Sequence, residues 1–304
     1  MPRVSVLLTC FNHARYLPEC VESVFAQTET DFEVIAVDDR STDGTREWLQ
    51  ACPRPLKTVF NERNLGTYAT LNVGLEHATG EFVAILNDDD LWAPDKLKRQ
   101  LALFDAHPKV GLVHTDGWFI DGEGKRLEGS PLGFEFPRTE TGDVLLSLLY
   151  ANKIIASAAL VRRSCFDSLG GFNDAYFGSG DWEMWLRIAE AYEVGFVDEP
   201  LTFYRVHGEN ASHKLERIWR DDEMLRRWIR ERAPGYESRG YGPRLRSAMA
   251  HNSACLGTVL TLNGYPREGR RAYAESLRHE PGRFKSALRY LATFLPRAAF
   301  RKLL

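Results

Sequence analysis

The first hundred residues alternate between short strand-like runs and segments of helical periodicity. The strand-like runs are rich in apolar and β-branched residues and cover residues 4–9, 32–37, 57–61 and 82–86. Apolar residues recur at helical spacing over residues 15–27, 68–78 and 95–106, and residues 41–44 supply turn and N-cap residues for a further helix through Leu49. Runs that are apolar throughout, instead of alternating with polar residues, indicate strands buried on both faces. We therefore predict an α/β fold in which helices flank a mostly parallel sheet.

Strand-like patterns continue to about residue 206 and then stop. Residues 110–119, 157–162 and 195–206 each fit a strand, and residues 183–191 fit a helix. From about residue 216 onward the sequence is helical and basic in character. We therefore predict a boundary at residue 212. It separates an α/β domain over residues 1–212 from a helical region over residues 213–304.

Two of the predicted strands end in clusters of acidic residues. Asp38 and Asp39 follow the second strand, and Asp88, Asp89 and Asp90 follow the fourth. Parallel α/β sheets bind their ligands at the carboxyl ends of the strands, so we expect both clusters to face one crevice. Adjacent carboxylates repel each other unless they are solvated or neutralised by a cation.

The spacing of Asp88 and Asp90 fits a metal site. Carboxylate oxygens suit the hard cations Mg²⁺ and Mn²⁺, and Mg²⁺ is usually held by one or two carboxylates together with substrate phosphates. The residues by themselves also fit a solvated acidic turn before the helix that Pro94 opens. The position of the cluster directly after an apolar strand favours the metal.

Composition and charge exclude several classes of protein. The 304 residues carry 39 Lys and Arg against 42 Asp and Glu, a net charge of −3, whereas dedicated nucleic-acid-binding proteins are usually basic. The five cysteines have no CxxC spacing, which fits a reducing compartment. No signal-peptide pattern and no apolar stretch of about 18 residues is present. We expect a cytoplasmic protein that does not bind nucleic acid.

Four motifs occur in an order that resembles the family 2 glycosyltransferases. They cover residues 4–12, 37–45, 86–90 and 180–185, within a colinear stretch of about residues 3–212. The resemblance implies a GT-A fold and an inverting transfer from a nucleotide-diphosphate sugar to a hydroxyl acceptor. It also implies a divalent cofactor, Mg²⁺ or Mn²⁺.

The resemblance divides the first domain by function. It implies a nucleotide-binding half over residues 1–106 and an acceptor-binding half over residues 107–212. The acceptor that we expect is a glycan or a lipid-linked glycan in the synthesis of cell-surface polysaccharide.

The resemblance also implies roles for individual residues. The implied nucleotide-sugar-binding residues are Thr9, Phe11, Asn12, Asp39, Asp88, Asp89 and Arg205. The implied metal ligands are Asp90 and His207, and the implied general base is Asp181. Asp39 corresponds to the carboxylate that accepts a hydrogen bond from the nucleobase imide. Gly180 departs from the family, in which a Glu is common at that position.

The implied chemistry agrees with these residue types. A nucleoside diphosphate leaves with developing negative charge, which a bound cation stabilises. A hydroxyl is a weak nucleophile, so a carboxylate such as Asp181 is suited to remove its proton. Asp181 also fits a purely structural role, the start of the amphipathic helix that follows it.

Two other functions remain open from the sequence. A metal-dependent nucleotidyltransferase would use a similar sheet and acidic site, but it usually carries a Gly-rich basic loop after the first strand, where this chain has Cys10-Phe11-Asn12-His13. A non-catalytic module that binds a nucleotide sugar would also retain the fold. The absence of GxGxxG and GxxxxGK[ST] patterns argues against a dinucleotide oxidoreductase and an NTPase.

Residues 283–304 combine helical apolar spacing with unbalanced positive charge. The segment has no acidic residue, and its basic residues are Arg283, Lys285, Arg289, Arg297, Arg301 and Lys302. Basic amphipathic helices are typical of membrane-surface elements. We expect the segment to hold the protein on the inner face of the cell membrane. The alternative is a helix that packs on its own domain or in a homo-oligomer.

Overall fold

The strands predicted for the first hundred residues form one half of a mixed β-sheet. The structure, a computed structural model, describes residues 1–129, 131, 132, 134–208, 210 and 214–302. Within these residues the sheet contains β1 (Val4–Cys10), β2 (Phe32–Asp38), β3 (Leu56–Phe60), β4 (Phe82–Asn87), β5 (Leu91–Trp92), β6 (Val110–Ile120), β7 (Leu160–Arg162) and β8 (Glu193–Arg205).

The helices that accompany these strands follow the predicted alternation. They are α1 (Leu17–Phe25), α2 (Thr45–Ala51), α3 (Thr67–His77), α4 (Lys96–Ala106), α5 (Leu145–Leu148), α6 (Arg163–Leu169) and α7 (Gly180–Ala191). The segment predicted as a strand over residues 157–162 begins instead with a 3₁₀ turn, Ala156–Ala158, before the short β7.

The order of the strands is β3-β2-β1-β4-β7-β6-β8-β5. β3, β2, β1 and β4 are parallel, whereas β7 is antiparallel to both β4 and β6. β8 is parallel to β6 and antiparallel to β5. The predicted α/β class with flanking helices is confirmed, and the sheet is parallel in its first half and mixed in its second.

Two pairings decide what lies at the carboxyl edge of the sheet. β1 pairs with both β2 and β4, in a register that sets Thr9 opposite Val37 on one side and Asn87 on the other. β5 pairs with β8, with Leu91 opposite Phe203. The acidic turn after β4 therefore lies beside the end of β8.

The apolar runs bury their side chains, as their composition predicts. Every residue of β1 is buried, and Leu7, Leu8 and Ile35 are among the largest fully buried side chains. Burial of each such side chain contributes roughly 1.5–3 kcal/mol. Trp185 of α7 is also fully buried and donates a hydrogen bond from its indole nitrogen to Ile154.

The chain forms two compact units. The first contains Met1–Val144, Asn152–Tyr176 and Gly180–Asn210. The second contains Leu145–Ala151, Phe177–Ser179 and the chain from Ala211 onward. Two short segments of the predicted first domain thus belong to the second unit, and the predicted boundary at residue 212 lies outside the described residues.

The second unit is helical, as predicted. Its longer elements are α8 (Leu215–Tyr236), α9 (Pro243–Leu262), α10 (Pro266–His279), α11 (Phe284–Ala292) and α12 (Arg297–Arg301). α9 and α10 form a helical hairpin. None of the described helices combines the length and the apolar character that crossing a membrane requires.

Candidate active site

Asp39 lies at the end of β2 with its carboxylate held by the loop before α3. Its Oδ1 accepts hydrogen bonds from the Leu65 amide (2.7 Å) and the Asn61 side chain (2.9 Å), and its Oδ2 accepts one from the Gly66 amide (2.9 Å). Asp39 is buried. Two carboxylate oxygens offer about four lone-pair sites, so this arrangement leaves room for one further donor.

Asp88 fixes the loop that follows β1. Its carboxylate accepts a hydrogen bond from the Phe11 amide (2.9 Å) and lies 2.7 Å from Nδ1 of His13. Burial raises the pKa of Asp88, and the contact with His13 opposes that shift. Asp88 thus lies close to the loop predicted to line the nucleotide, and its two oxygens hold that loop in place.

The loop itself requires an unusual backbone at Asn12, whose φ is +56°. Asn tolerates this left-handed conformation better than most residues, and its side-chain oxygen accepts a hydrogen bond from the Thr42 amide (2.7 Å). Phe11 is exposed, whereas Thr9 is buried at the end of β1. The three predicted loop residues therefore differ in how accessible they are to a ligand.

Asp89, His13 and His207 form a cluster of possible metal ligands. Oδ2 of Asp89 is 2.9 Å from Nε2 of His207, and one ligand atom from each residue lies within 4.8 Å of the other two. Asn210 holds the turn that carries His207, since its side chain accepts a hydrogen bond from the His207 amide (2.6 Å) and donates one to Arg205 (3.1 Å).

The cluster lies at the edge of an open recess. This recess has a volume of about 720 Å³ and belongs to the first unit. A separate cavity of about 850 Å³ lies in the helical unit. Among the residues that line the recess beside the cluster are Asn12, His13, Thr42, Asp43, Val206 and His207. The acidic turn, the loop after β1 and the turn after β8 thus meet at one accessible place.

Asp90 lies outside this cluster, and its role as a metal ligand stays a prediction. Its side chain is fully buried and accepts hydrogen bonds from the Ser157 hydroxyl and from the Arg205 amide (2.9 Å). Burial and the adjacent Asp89 hold its pKa well above the usual range. Asp89 instead points to His207, because consecutive residues of the turn project in different directions.

Arg205 is also directed into the protein, and its role in binding the donor stays a prediction. Only 1% of it is exposed. Its guanidinium donates to the backbone oxygens of Asp89 (2.7 Å) and Asp121 (3.1 Å) and forms an ion pair with Glu19 (2.8 Å). These contacts join the ends of β4, β6 and β8 to α1, so Arg205 holds the turns that carry the site residues in place.

Asp181 lies in the first turn of α7 and is half-buried. Oδ1 accepts hydrogen bonds from the Trp182 amide (2.7 Å) and the Tyr68 hydroxyl (3.4 Å), and Oδ2 accepts one from Asn152 (3.2 Å). Burial raises the pKa of Asp181 from 3.8 to about 6, although these three hydrogen bonds act to lower it. A carboxylate with this pKa is ionised at neutral pH and is more basic than an exposed aspartate.

Gly180 is required by its contact with Tyr68. A Cβ atom at position 180 would lie 2.7 Å from the Tyr68 ring, well inside van der Waals contact. The ring occupies the space that a side chain at position 180 would need, and the Tyr68 hydroxyl faces Asp181. This packing explains why the chain lacks the acidic residue that is common before the aspartate in the family that it resembles.

Two residues of the site, His13 and Asn210, were not predicted from the sequence. His13 comes directly after Asn12 of the predicted nucleotide loop. Its position just beyond the end of a strand could have indicated that it belongs to the site. Asn210 had no comparable signal, because its role depends on the turn that it forms beside Asp89.

Comparison with known proteins gives a consistent family. The sequence model described as "Glycosyl transferase family 2" matches residues 5–170. A glycosyltransferase of Nostoc sp., described as uncharacterized, is 31% identical over 219 residues, which are 68% of this chain and 66% of that protein. Chondroitin synthase of Escherichia coli is 27% identical over 233 residues, 74% of this chain and 32% of the synthase. The chain thus spans between a third and two thirds of the length of these relatives.

Solved structures share the fold at lower identity. S. aureus TarS 1–349 in complex with UDP-GlcNAc has a TM-score of 0.60 at 19% identity and covers 92% of each chain. The mannosyltransferase PcManGT of Pyrobaculum calidifontis, in complex with GDP-Man and Mn²⁺, has a TM-score of 0.60 at 23% identity, over 98% of this chain and 85% of that one. With the family model matching more than half of its length, this chain belongs to the family 2 glycosyltransferases.

Proposed function

We propose that the protein transfers a sugar from a nucleoside-diphosphate sugar to a hydroxyl acceptor by a single displacement that inverts the anomeric carbon. The observation that carries this proposal is the cluster of His13, Asp89 and His207 at the recess beside the loop after β1. The structural neighbours that contain UDP-GlcNAc or GDP-Man with Mn²⁺ support the class of donor. The acceptor that we propose is a glycan or a lipid-linked glycan.

The cluster fits a divalent cation in both chemistry and spacing. Two imidazoles and one carboxylate provide three ligand atoms that lie within 4.8 Å of one another. Mg²⁺ prefers oxygen ligands, whereas imidazole suits the transition metals, so the mixed set favours Mn²⁺. When bound, such a cation neutralises the charge that develops on the departing diphosphate.

Asp181 is the proposed general base. Its carboxylate accepts the proton of the acceptor hydroxyl as that oxygen forms a bond to the anomeric carbon. The bond from this carbon to the diphosphate oxygen breaks on the opposite face, and its electron pair leaves with the nucleoside diphosphate. The three hydrogen bonds to Asp181 orient the carboxylate and limit its movement during this step.

Asp39 is the proposed contact for the nucleobase. Its carboxylate is fixed by two backbone amides and by Asn61, and it retains the capacity to accept one more hydrogen bond. The imide N–H of uracil or thymine, or the ring N1–H of guanine, is a donor of the required kind. Asp88 is the proposed positioning residue for the loop of Thr9, Phe11 and Asn12, through the Phe11 amide.

A thermal-shift and turnover experiment tests these roles together. We expect UDP, GDP or dTDP to raise the melting temperature of the wild type in the presence of Mn²⁺, because a ligand of the folded state stabilises it. We expect Asp89→Asn and His207→Ala to lose the Mn²⁺-dependent part of this rise. Asp181→Asn is expected to keep it while turnover with the donor, measured as release of nucleoside diphosphate, falls at least 10²-fold.

Asp31→Asn is a matched control, because it also replaces one carboxylate by an amide. Asp31 is exposed and lies where β2 begins, at the edge of the sheet opposite to the cluster. This variant should behave as the wild type in both measurements. Wild-type turnover in Asp181→Asn would contradict the base, and an unchanged Mn²⁺ response in Asp89→Asn would contradict the metal site. Binding without any turnover in the wild type would favour a non-catalytic module.

A further inference from the structure

The helix α11 and the turn after it expose several large apolar side chains to solvent, whereas Ser286 and Thr293 face the protein. Ser286 and Thr293 are only 1% and 3% exposed. In contrast, the residues that we call the apolar stripe are between 47% and 71% exposed; they are Phe284, Leu288, Leu291, Phe294 and Leu295. A helix that packs on the core of a globular unit has the opposite arrangement. Here α11 packs on the helical core through Tyr290 and Ala292, and the stripe stays largely in solvent, with Phe294 against Arg270.

The orientation of α11 is fixed by hydrogen bonds on its polar side. The hydroxyl of Ser286 lies 3.0 Å from that of Ser276 in α10, which in turn donates to Ala250 (2.7 Å). The Thr293 hydroxyl accepts a hydrogen bond from Arg270 (3.3 Å). A rotation of the helix that buried the stripe would break these bonds, so the outward position of the stripe is a stable feature of this unit.

The part of the stripe within α11 forms one line along the helix. Phe284, Leu288 and Leu291 are separated by four and three residues, the spacing at which side chains lie above one another on one helix face. Phe294 and Leu295 lie in the turn that follows the helix. A contiguous exposed apolar face of this kind indicates a surface that meets something apolar.

Positive charge surrounds the stripe. Residues 283–302 contain six basic residues and no acidic residue. Among the described residues, Lys285, Arg289 and Lys302 have no carboxylate within ion-pair distance, whereas Arg283 pairs with Glu280 (2.9 Å). The segment that carries the stripe therefore also carries cations without a carboxylate partner among the described residues, and two of them, Lys285 and Arg289, lie on α11 itself.

A recess beside the stripe extends the positive surface inward. It is a cavity of about 850 Å³ whose lining includes Arg283, Lys285, Arg289 and His251, together with Glu280, which pairs with Arg283. Burial and the neighbouring arginines lower the pKa of His251 to about 4, so this imidazole is neutral and accepts a hydrogen bond from Arg283 (3.1 Å). The recess offers cationic donors to an anionic group such as a phosphate.

We propose that the apolar stripe and the basic residues of 283–302 form a docking surface for an anionic phospholipid bilayer. The stripe inserts between the lipid headgroups, and Lys285, Arg289 and Lys302 contact the phosphates. Residues 303 and 304 of the predicted tail lie outside the described residues. This proposal is independent of the proposed sugar transfer, because it concerns only binding by the helical unit.

The charge of the surface distinguishes a bilayer from other occupants. A two-fold contact with a second copy would set this cationic face against itself, which like charges oppose. A nucleic acid would match the charge but would leave the five apolar side chains in water. An anionic bilayer satisfies both, since acyl chains cover the stripe and headgroups neutralise the basic residues.

Vesicle flotation with the full chain tests the proposal. We expect the protein to float with phosphatidylcholine vesicles that contain about 30% phosphatidylglycerol, and to remain in solution with pure phosphatidylcholine. Raising NaCl should weaken binding because salt screens the charges. Lys285→Gln/Arg289→Gln should weaken it about thirtyfold, since each basic residue near an anionic surface contributes about fivefold. Leu288→Ser/Leu291→Ser should weaken it at least about tenfold.

Each variant has a matched control in the same unit. Arg271→Gln/Arg278→Gln removes the same charge from exposed positions of α10. Leu215→Ser/Met224→Ser removes two exposed apolar side chains from α8. Both controls should bind within about twofold of the wild type, a small effect on this scale. Circular dichroism checks that all four variants retain the helical content of the wild type.

Three results would overturn the proposal. One is equal binding to both kinds of vesicle, and another is wild-type binding by both the charge variant and the stripe variant. The third is a concentration-dependent dimer in sedimentation velocity that Leu288→Ser/Leu291→Ser abolishes, which would assign the stripe to a second copy of the chain. Turnover of a sugar donor is not needed for any of these measurements.

Discussion

Asp181 lies in surroundings that set the pH at which it can accept a proton. Its pKa is raised to about 6 by burial. If Asp181 is the base, kcat/KM should fall as the pH drops below about 6 and should be level above about pH 7, because only the ionised carboxylate can take the proton. A pH profile of nucleoside diphosphate release measures this limb.

A second variant tests whether the acid limb of the pH profile arises from Asp181 or from another group. Tyr68→Phe removes a hydrogen bond that favours the ionised carboxylate, so its acid limb should move to higher pH. An acid limb near pH 4 in the wild type, unmoved in Tyr68→Phe, would contradict the assignment of Asp181.

The same raised pKa predicts an effect on stability. A carboxyl whose pKa is higher in the folded than in the unfolded state destabilises the protein when it is ionised. That cost is absent below about pH 4, where the carboxyl is protonated in both states, and it is complete above about pH 6. Asp181→Asn should therefore raise the free energy of unfolding at pH 8 by about 1–3 kcal/mol. Urea unfolding at pH 8 and pH 4 tests this, and a gain of equal size at both values would argue against it.

At the level of secondary-structure elements, α9 and α10 approach each other through facing glycines. A Cβ on Gly269 would lie 2.3 Å from the Thr261 hydroxyl oxygen and 2.9 Å from the Gly257 carbonyl oxygen. Gly269→Ala should therefore force the helices apart and lower the free energy of unfolding by about 1–3 kcal/mol. Chemical denaturation followed by circular dichroism is the measurement.

Gly235 is a suitable control for this substitution. It lies in α8, has no atom within 4 Å of the position of a Cβ, and does not require a positive φ. Gly235→Ala should leave stability unchanged or raise it by up to about 1 kcal/mol, because alanine loses less backbone entropy in a helix. Equal losses in both variants would show that the packing of α9 and α10 is not the cause.

At the scale of the whole molecule, Arg205 connects distant parts of the first unit. It links the ends of β4 and β6 to Glu19 of α1, while its own amide binds Asp90. Arg205→Met should lower the free energy of unfolding by about 2–4 kcal/mol, because the backbone oxygens of Asp89 and Asp121 lose their buried donor, whereas the exposed Glu19 can turn to water. Thermal unfolding measures the loss. Arg15→Met is the control, because its ion pair with Glu123 is exposed on both sides and should contribute less than about 1 kcal/mol.

The sequence by itself determined the class of fold and the place of the site. Apolar runs separated by helical segments permit few arrangements other than a sheet covered by helices, and acidic residues after β2 and β4 must then lie at its carboxyl edge. The colinear motifs identified the family. The sequence did not show which face of α11 packs on the protein, because apolar spacing alone does not tell which side of a helix is buried.

Only the tertiary structure decided which residues of the site face one another. Asp88, Asp89 and Asp90 are consecutive and chemically identical, so their separate contacts depend on the turn after β4 and on the pairing of β5 with β8. That pairing joins residues more than a hundred positions apart, and it places His207 beside Asp89 while directing Arg205 inward. Contacts of this kind are fixed by long-range strand register, which no local pattern of residues encodes.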